Sequence, residues 1–374
     1  MFKDQLAKFL LKEWQEDHYG SILSNNTLIV SHGGNCVRLS FNKLDLKMNV
    51  ENQANLQGSH EEADTLIAFH ASGTTENIII RASDTDVLII LIGMLGRQLT
   101  NDRPTSYSRI IMDCGSGNSR RLIDVKHCHR PESKQDGLAA AIPGLHAFTG
   151  SDFTTAFYRK GKLKPLEVLV KDTEGTLIQF FSKLASSEDE PDQRKAEEFV
   201  CSLYGLKGDV KDVNEARLLK LCQMMGRLDQ ENPMSNVKKV DCALLPPCTK
   251  TVHKKMQRAH FISILWGNAG SAHPGLGLDP LNYGWKEKNG YYTPDWYSGH
   301  SMPNYLFQEE EREEDITVNL QSVQPDVAEE FDDDNDDDDD SCFRISWSDD
   351  SENDNSESET TIKININYHE DMKT

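Results

Sequence analysis

Three short acidic clusters hold the residue types in this sequence that can do chemistry together. Ser59-His60-Glu61-Glu62-Ala63-Asp64-Thr65 comes first, Ser83-Asp84-Thr85-Asp86 follows, and Thr149-Gly150-Ser151-Asp152-Phe153 closes the set. Carboxylates drawn from separate places in a chain offer hard oxygen ligands, which Mg²⁺ or Mn²⁺ takes in preference to thiolate or imidazole. Each cluster also has a plain structural use. Acids from Glu61 to Asp64 favour the positive end of a helix, Asp84 and Asp86 suit a turn after a strand, and Asp152 suits a helix cap. Convergence on one pocket is what separates the two readings.

The elements that must position these acids follow from local pattern. Ser59 with Glu62 three residues on has the spacing of a capping box, so a helix is expected from Ser59, with Ala63, Leu66, Ile67 and His70 as its inner stripe. On a regular helix Glu61 and Asp64 share a face while Glu62 and Asp64 diverge, so either glutamate can be the inward one. Ile78-Ile79-Ile80 is continuous β-branched sequence, expected to form a strand covered on both faces, and the buried run Val87 to Leu95 resumes after Asp86. A helix, a strand and acids at the strand's carboxyl end predict an α/β sheet with its site in the crevice beyond the strand ends. Arg109 to Met112 and Arg121 to Val125 predict a hairpin, and Ala139 to Phe148 a helix that delivers Asp152.

Around this centre, Phe2, Leu6, Phe9, Leu10 and Trp14 recur at helical spacing. Thr27 to Val30 and Cys36 to Leu39 flank a glycine turn and predict another hairpin. Leu166 to about Val240 is mainly helical in pattern and Thr251 to Trp266 predicts a further helix. The aromatic-rich stretch with Trp285, Tyr291, Tyr292, Trp296 and Tyr297 is expected to be irregular and to pack onto the body.

The net charge of -21 is not spread evenly. From Gln308 onward the chain carries 25 acids against 4 bases, leaving 36 acids and 36 bases before it. The last segment is too charged and too poor in apolar residues to bury a core, so disorder is expected there. Eight cysteines without a C-x-x-C pair suit reduced thiols, and no secretory signal or bilayer-length apolar run is visible. Nucleus or cytoplasm is therefore the expected location, with no membrane partner. His127-Cys128-His129 lies in or just after a strand, where neighbours point to opposite faces, so a structural role is expected rather than a metal site. His32 and His146 are expected to pack or hydrogen-bond. Gly115-Ser116-Gly117 lacks a following Lys-Ser/Thr and reads as a turn.

Taken in order, Glu61-Glu62-Ala63-Asp64, Ser83-Asp84-Thr85-Asp86 and Gly150-Ser151-Asp152-Phe153 resemble the successive acidic motifs of the flap endonuclease and XPG group of PIN-like nucleases. The motifs around His60 to Thr65, Asp84 to Val87 and His146 to Asp152 are similar to those of uncharacterised, transposon-associated animal proteins. The resemblance implies a PIN-like parallel-sheet core with flanking helices and a nuclease activity dependent on two Mg²⁺ or Mn²⁺ ions about 4 Å apart. Glu62 and Asp64 match its first acidic pair, Asp84 and Asp86 its second, and Asp152 its last acid, with Glu61 as the other possible ligand. Arg159, Lys160, Lys162 and Lys164 stand where the family grips a nucleic-acid backbone.

The family's front acids have no counterpart here, which implies a fragment of a longer product, or a remnant that has lost part of the metal site. The division expected is a partial nuclease front half (1–57), the nuclease-like core (58–170), a helical extension (171–307) and the acidic tail (308–374). The alternative to a nuclease is an inactive remnant of a mobile element that binds nucleic acid, or basic proteins through its acidic tail.

Overall fold

A glycine pair sets the first register. The computed structural model describes residues 2–74, 76–100, 109–126, 137–185, 189–206, 210–225, 240–297 and 299. After α1 (Phe2–Glu13) and the short α2 (Gly20–Leu23), β1 (Thr27–His32) and β2 (Asn35–Asn42) pair antiparallel, with His32 opposite Asn35. Both turn residues, Gly33 and Gly34, have positive φ, as a two-residue hairpin requires. A third strand, β3 (Lys47–Asn52), adds to β2. It is mostly exposed, and its only strand signal is the short alternation of Met48 and Val50 with polar residues.

The central layer runs α3 (Ala63–Ser72), β4 (Ile78–Arg81), α4 (Thr85–Thr100), β5 (Ile110–Cys114), β6 (Arg121–Asp124) and α5 (Leu138–Thr149). β4 and β5 are parallel and β6 returns antiparallel, so the sheet is mixed rather than wholly parallel. Ile80 joins the core and Ile78 packs against it, while Ile79 stands 71% exposed. Among the described residues this strand is therefore covered on one face, not two. α4 is buried all round from Val87 to Ile92, because α3, α5 and α10 (Thr249–Gly267) all pack on it. That explains its unbroken apolar sequence.

α5 continues through Pro143, which cannot donate a backbone hydrogen bond. Its ring occupies space that a side chain on α4 would otherwise fill, since a Cβ on Gly93 would lie 2.3 Å from Pro143 Cγ. Around these helices fold α6 (Leu163–Val170), α7 (Thr176–Leu184), α8 (Gln193–Leu203) and α9 (Val213–Met225). Phe148, Phe157, Phe181 and Phe199 form their shared aromatic centre.

The segment after α10 is more regular than its composition predicts. β7 (Trp285–Lys288) and β8 (Tyr291–Pro294) form a hairpin, and Tyr283 and Trp285 dock on Phe261 of α10. Among the described residues the architecture is mixed α/β, with three small sheets among many helices. No described helix is long and apolar enough to cross a membrane. His127-Cys128-His129 and the acidic tail lie outside the described residues.

Candidate metal centre

Two helix starts and one loop deliver the acids. α3 begins at Ala63 with Glu62 as its extended N-cap residue, and Asp64 sits in the first turn. Ser59 is not the cap that its spacing predicts. Its amide donates to Ala272 O at 2.8 Å and its hydroxyl lies 2.9 Å from His273 Nδ1, so contacts more than two hundred residues away override the local box. His60 Nδ1 instead meets Thr65 Oγ1 at 3.0 Å. The buried face of α3 is Thr65, Ala68, Phe69 and Ala71 rather than the expected stripe.

At the second start, β4 ends at Arg81 and α4 begins at Thr85. Asp84 Oδ1 accepts from the Asp86 amide at 2.9 Å, as a capping carboxylate does. Beside it, Arg120 and Arg81 both hold Asp113 at 2.8 Å, and their hydrogen bonds keep its carboxyl down at about 2. Ser83 Oγ accepts from the Gly115 amide at 3.1 Å, which joins the ends of β4 and β5.

Asp64, Asp84 and Asp86 each place a carboxylate oxygen so that all three lie within 4.8 Å of one another. Glu62 and Asp152 stand near enough for their charge to be felt. Burial first, then the charges of Asp64, Asp86, Asp152 and Glu61, push Glu62 up to about 7. Burial first, then Asp84, Asp86 and Asp152, push Asp64 up to about 6. Glu61 is exposed and acts last and least on Glu62. Carboxylates gathered closely enough to raise one another's pKa are the electrostatic setting that a hard divalent cation relieves. The donor set is all oxygen, which fits Mg²⁺ or Mn²⁺ and does not distinguish them.

No family model, curated protein or solved structure matches the chain. The chemistry of the centre therefore rests on its own atoms.

His146, expected to pack or hydrogen-bond, does both at this centre. Buried on α5 against Trp266, it brings Nε2 to 2.9 Å from Asp86 Oδ1. Burial lowers its pKa more than the Asp86 hydrogen bond raises it, so the ring is neutral and Nε2–H donates to the carboxylate. In the sequence, the motif from His146 to Asp152 ties it to the last acid, but nothing there pairs it with Asp86.

Asp152 is exposed on the loop that follows α5. Gly150 turns that loop at φ 128°, where a Cβ would meet Ala156 Cα at 2.9 Å. Ser151 and Thr154 close it with reciprocal backbone bonds. Two lysines pin its ends. Lys162 Nζ donates to Gly150 O, to His146 O at 3.1 Å and to Thr149 Oγ1 at 3.3 Å. Lys255, buried over the Phe157 ring, donates to Thr155 O.

The basic strip is thus divided. Lys162 is turned inward onto backbone carbonyls, and Lys160 Nζ lies 4.4 Å over the Tyr204 ring. Burial lowers both lysines to about 8. Arg159, at φ 52° beside Tyr158, and Lys164 are exposed.

Proposed function

We propose that this chain is a divalent-metal-dependent nuclease with a PIN-like core, hydrolysing phosphodiester bonds of DNA or RNA. The observation that supports it is the meeting of Asp64, Asp84 and Asp86 oxygens within 4.8 Å, drawn from two separate helix starts. On this reading those three hold Mg²⁺ or Mn²⁺, and Glu62 and Asp152 extend the site towards a second ion. The metal, when bound, supplies Lewis-acid polarisation of a phosphoryl group.

The chain's own residues do the rest. His146 fixes the direction of Asp86, the lysine-pinned loop holds Asp152 at the rim, and the helix starts of α3 and α4 orient their acids. Exposed Arg159 and Lys164 are free to meet a nucleic-acid backbone as point charges.

Incubation of the full chain with flap, hairpin and single-stranded oligonucleotides plus Mn²⁺ tests the reading. Cleavage that disappears on Asp84→Ala with Asp86→Ala is expected; no cleavage, or cleavage that the double variant leaves intact, refutes it. The inward commitment of Lys160 and Lys162 leaves fewer cations for a phosphate backbone, which favours a second reading, a non-catalytic remnant that binds basic proteins. No Mn²⁺ binding by calorimetry supports that reading, whereas binding abolished by Asp84→Asn supports the nuclease.

A further inference from the structure

The hairpin after α10 and the residues that follow it display large aromatic side chains that are only partly covered. Tyr283 and Trp285 do the packing, on His260 and Phe261. Tyr291, Tyr292, Trp296 and Tyr297 are instead 76%, 54%, 50% and 40% exposed. Two of these rings rest on cations. Arg258 lies 4.7 Å from the Trp296 ring centre and Lys250 Nζ 5.6 Å from that of Tyr297. A ring supported by a cation on one side keeps part of its surface for another flat group.

The support is rigid. Arg258, itself buried, donates to Asp295 O at 2.9 Å and Gly284 O at 3.4 Å, and Lys254 pairs with Asp295 at 2.8 Å. Lys288 pairs with Tyr291 and Lys286 with Thr293 across the strands, so these four share one face of the hairpin. In a body whose acids and bases balance, Lys250, Lys254, Arg258, Lys286 and Lys288 outnumber Glu287 and Asp295 here; Lys254 and Lys286, the latter at 3.7 Å, share the single Asp295 carboxylate, so positive charge remains in excess.

We propose that this surface is a stacking platform for single-stranded nucleic acid, whose bases lie on Trp296 and Tyr291 while its phosphates meet Lys286 and Lys288. Stacking aromatics beside a cationic track bind single strands and not duplexes, whose base faces are covered. The choice of nucleic acid rests on the proposed function and deepens it by naming single strands as the substrate class. Trp266, against His146, follows Arg258 by eight residues, about 12 Å along α10, so the platform and the acids share one helix. The chain's acidic segment from Gln308 matches the charge of this surface but has few aromatic residues to stack on it.

The test uses the full chain in EDTA with fluorescein-labelled oligothymidylate, so binding is read without cleavage. Trp296→Ala with Tyr291→Ala should weaken the anisotropy-measured affinity roughly ten-fold or more, while Trp296→Phe keeps most of it. Lys286→Ala with Lys288→Ala should reduce the salt slope by about 1.4. Circular dichroism confirms that each variant is folded. Equal binding by the parent and the double aromatic variant, or equal binding of duplex and single strand, overturns the proposal. So does shielding of Trp296 from acrylamide in the free chain that salt removes, without oligothymidylate binding, since the acidic segment then occupies the platform. Failure of Mn²⁺ cleavage with retained EDTA binding counts against the nuclease reading alone.

Discussion

His146 Nε2 stands 2.9 Å from Asp86 Oδ1, so a buried neutral imidazole on α5 sets the direction of a carboxylate at the start of α4. Groups that orient ligands in this way matter nearly as much as the ligands. His146→Ala should weaken Mn²⁺ binding about 10- to 100-fold by titration calorimetry. His146→Gln, which restores an N–H donor, should recover much of it.

Asp84→Asn separates folding from metal binding. Asparagine keeps the acceptor for the Asp86 amide but removes one of the charges that repel Asp64. Without metal the variant should match the parent or gain a few tenths to about 1 kcal/mol in urea melts, the small size following from the exposure of Asp84. The parent should gain about 2.7 kcal/mol from Mn²⁺ at a hundred times its dissociation constant. The variant should gain almost nothing.

Metal-free stability should also depend on pH in a way that these acids dictate. Glu62 and Asp64 are raised to about 7 and about 6 in the folded chain from ordinary values of 4.5 and 3.8. The folded state thus binds their protons more tightly, and their contribution is full below about pH 4 and lost as pH rises through 6 to 7. His60, His70 and His146 have lowered pKa values, so their contribution is lost as pH falls through 6.5. The difference between melting curves of the parent and of Glu62→Gln with Asp64→Asn isolates the acids. The variant's relative stability should rise from pH 5 to 8 in EDTA, a trend that Mn²⁺ reverses.

Lys162→Ala tests whether this lysine belongs to the fold. It removes the lysine donor from Gly150 O and from His146 O, which keeps a long 3.4 Å bond from Thr149 Oγ1, and should cost about 2 to 3 kcal/mol in denaturant unfolding. Lys164→Ala, at an exposed position, should change stability by less than about 0.5 kcal/mol. Equal, small effects would return Lys162 to the phosphate-binding role that its sequence position implies.

Lys255 is lowered to about 7 from 10.5, by burial first and then by Lys162 and Arg258. The unfolded chain binds this proton more readily, so stability should rise with pH between about 7 and 10. Lys160 and Lys162 contribute in the same sense. The rise should be shallower in Lys255→Met, as read from melting temperature against pH, because its share is then missing.

What the sequence reveals and hides follows from the range of the interactions. β4, α4 and α10 are written in local runs of apolar residues, and the acids beside β4 are visible because strands end abruptly. β3 is mostly exposed, and Met48 and Val50 alone make a period too short to stand out. Ser59 has the local signal of a cap, yet a carbonyl at Ala272 takes its amide. His146 and Asp86 are sixty residues apart, and Lys162 binds backbone oxygens, which no residue type announces. The exposure of Ile79 depends on what covers the sheet, not on the strand's own composition.

Gly93 and Pro143 touch where α4 and α5 cross, seven residues beyond Asp86 and three before His146. The absence of a methyl group there fixes how closely the two rods can approach. One added carbon would act as a wedge some 10 Å down the axis from the acids, prising the imidazole from the carboxylate without touching either. The bite of the centre is thus calibrated at a distance, by a hydrogen atom.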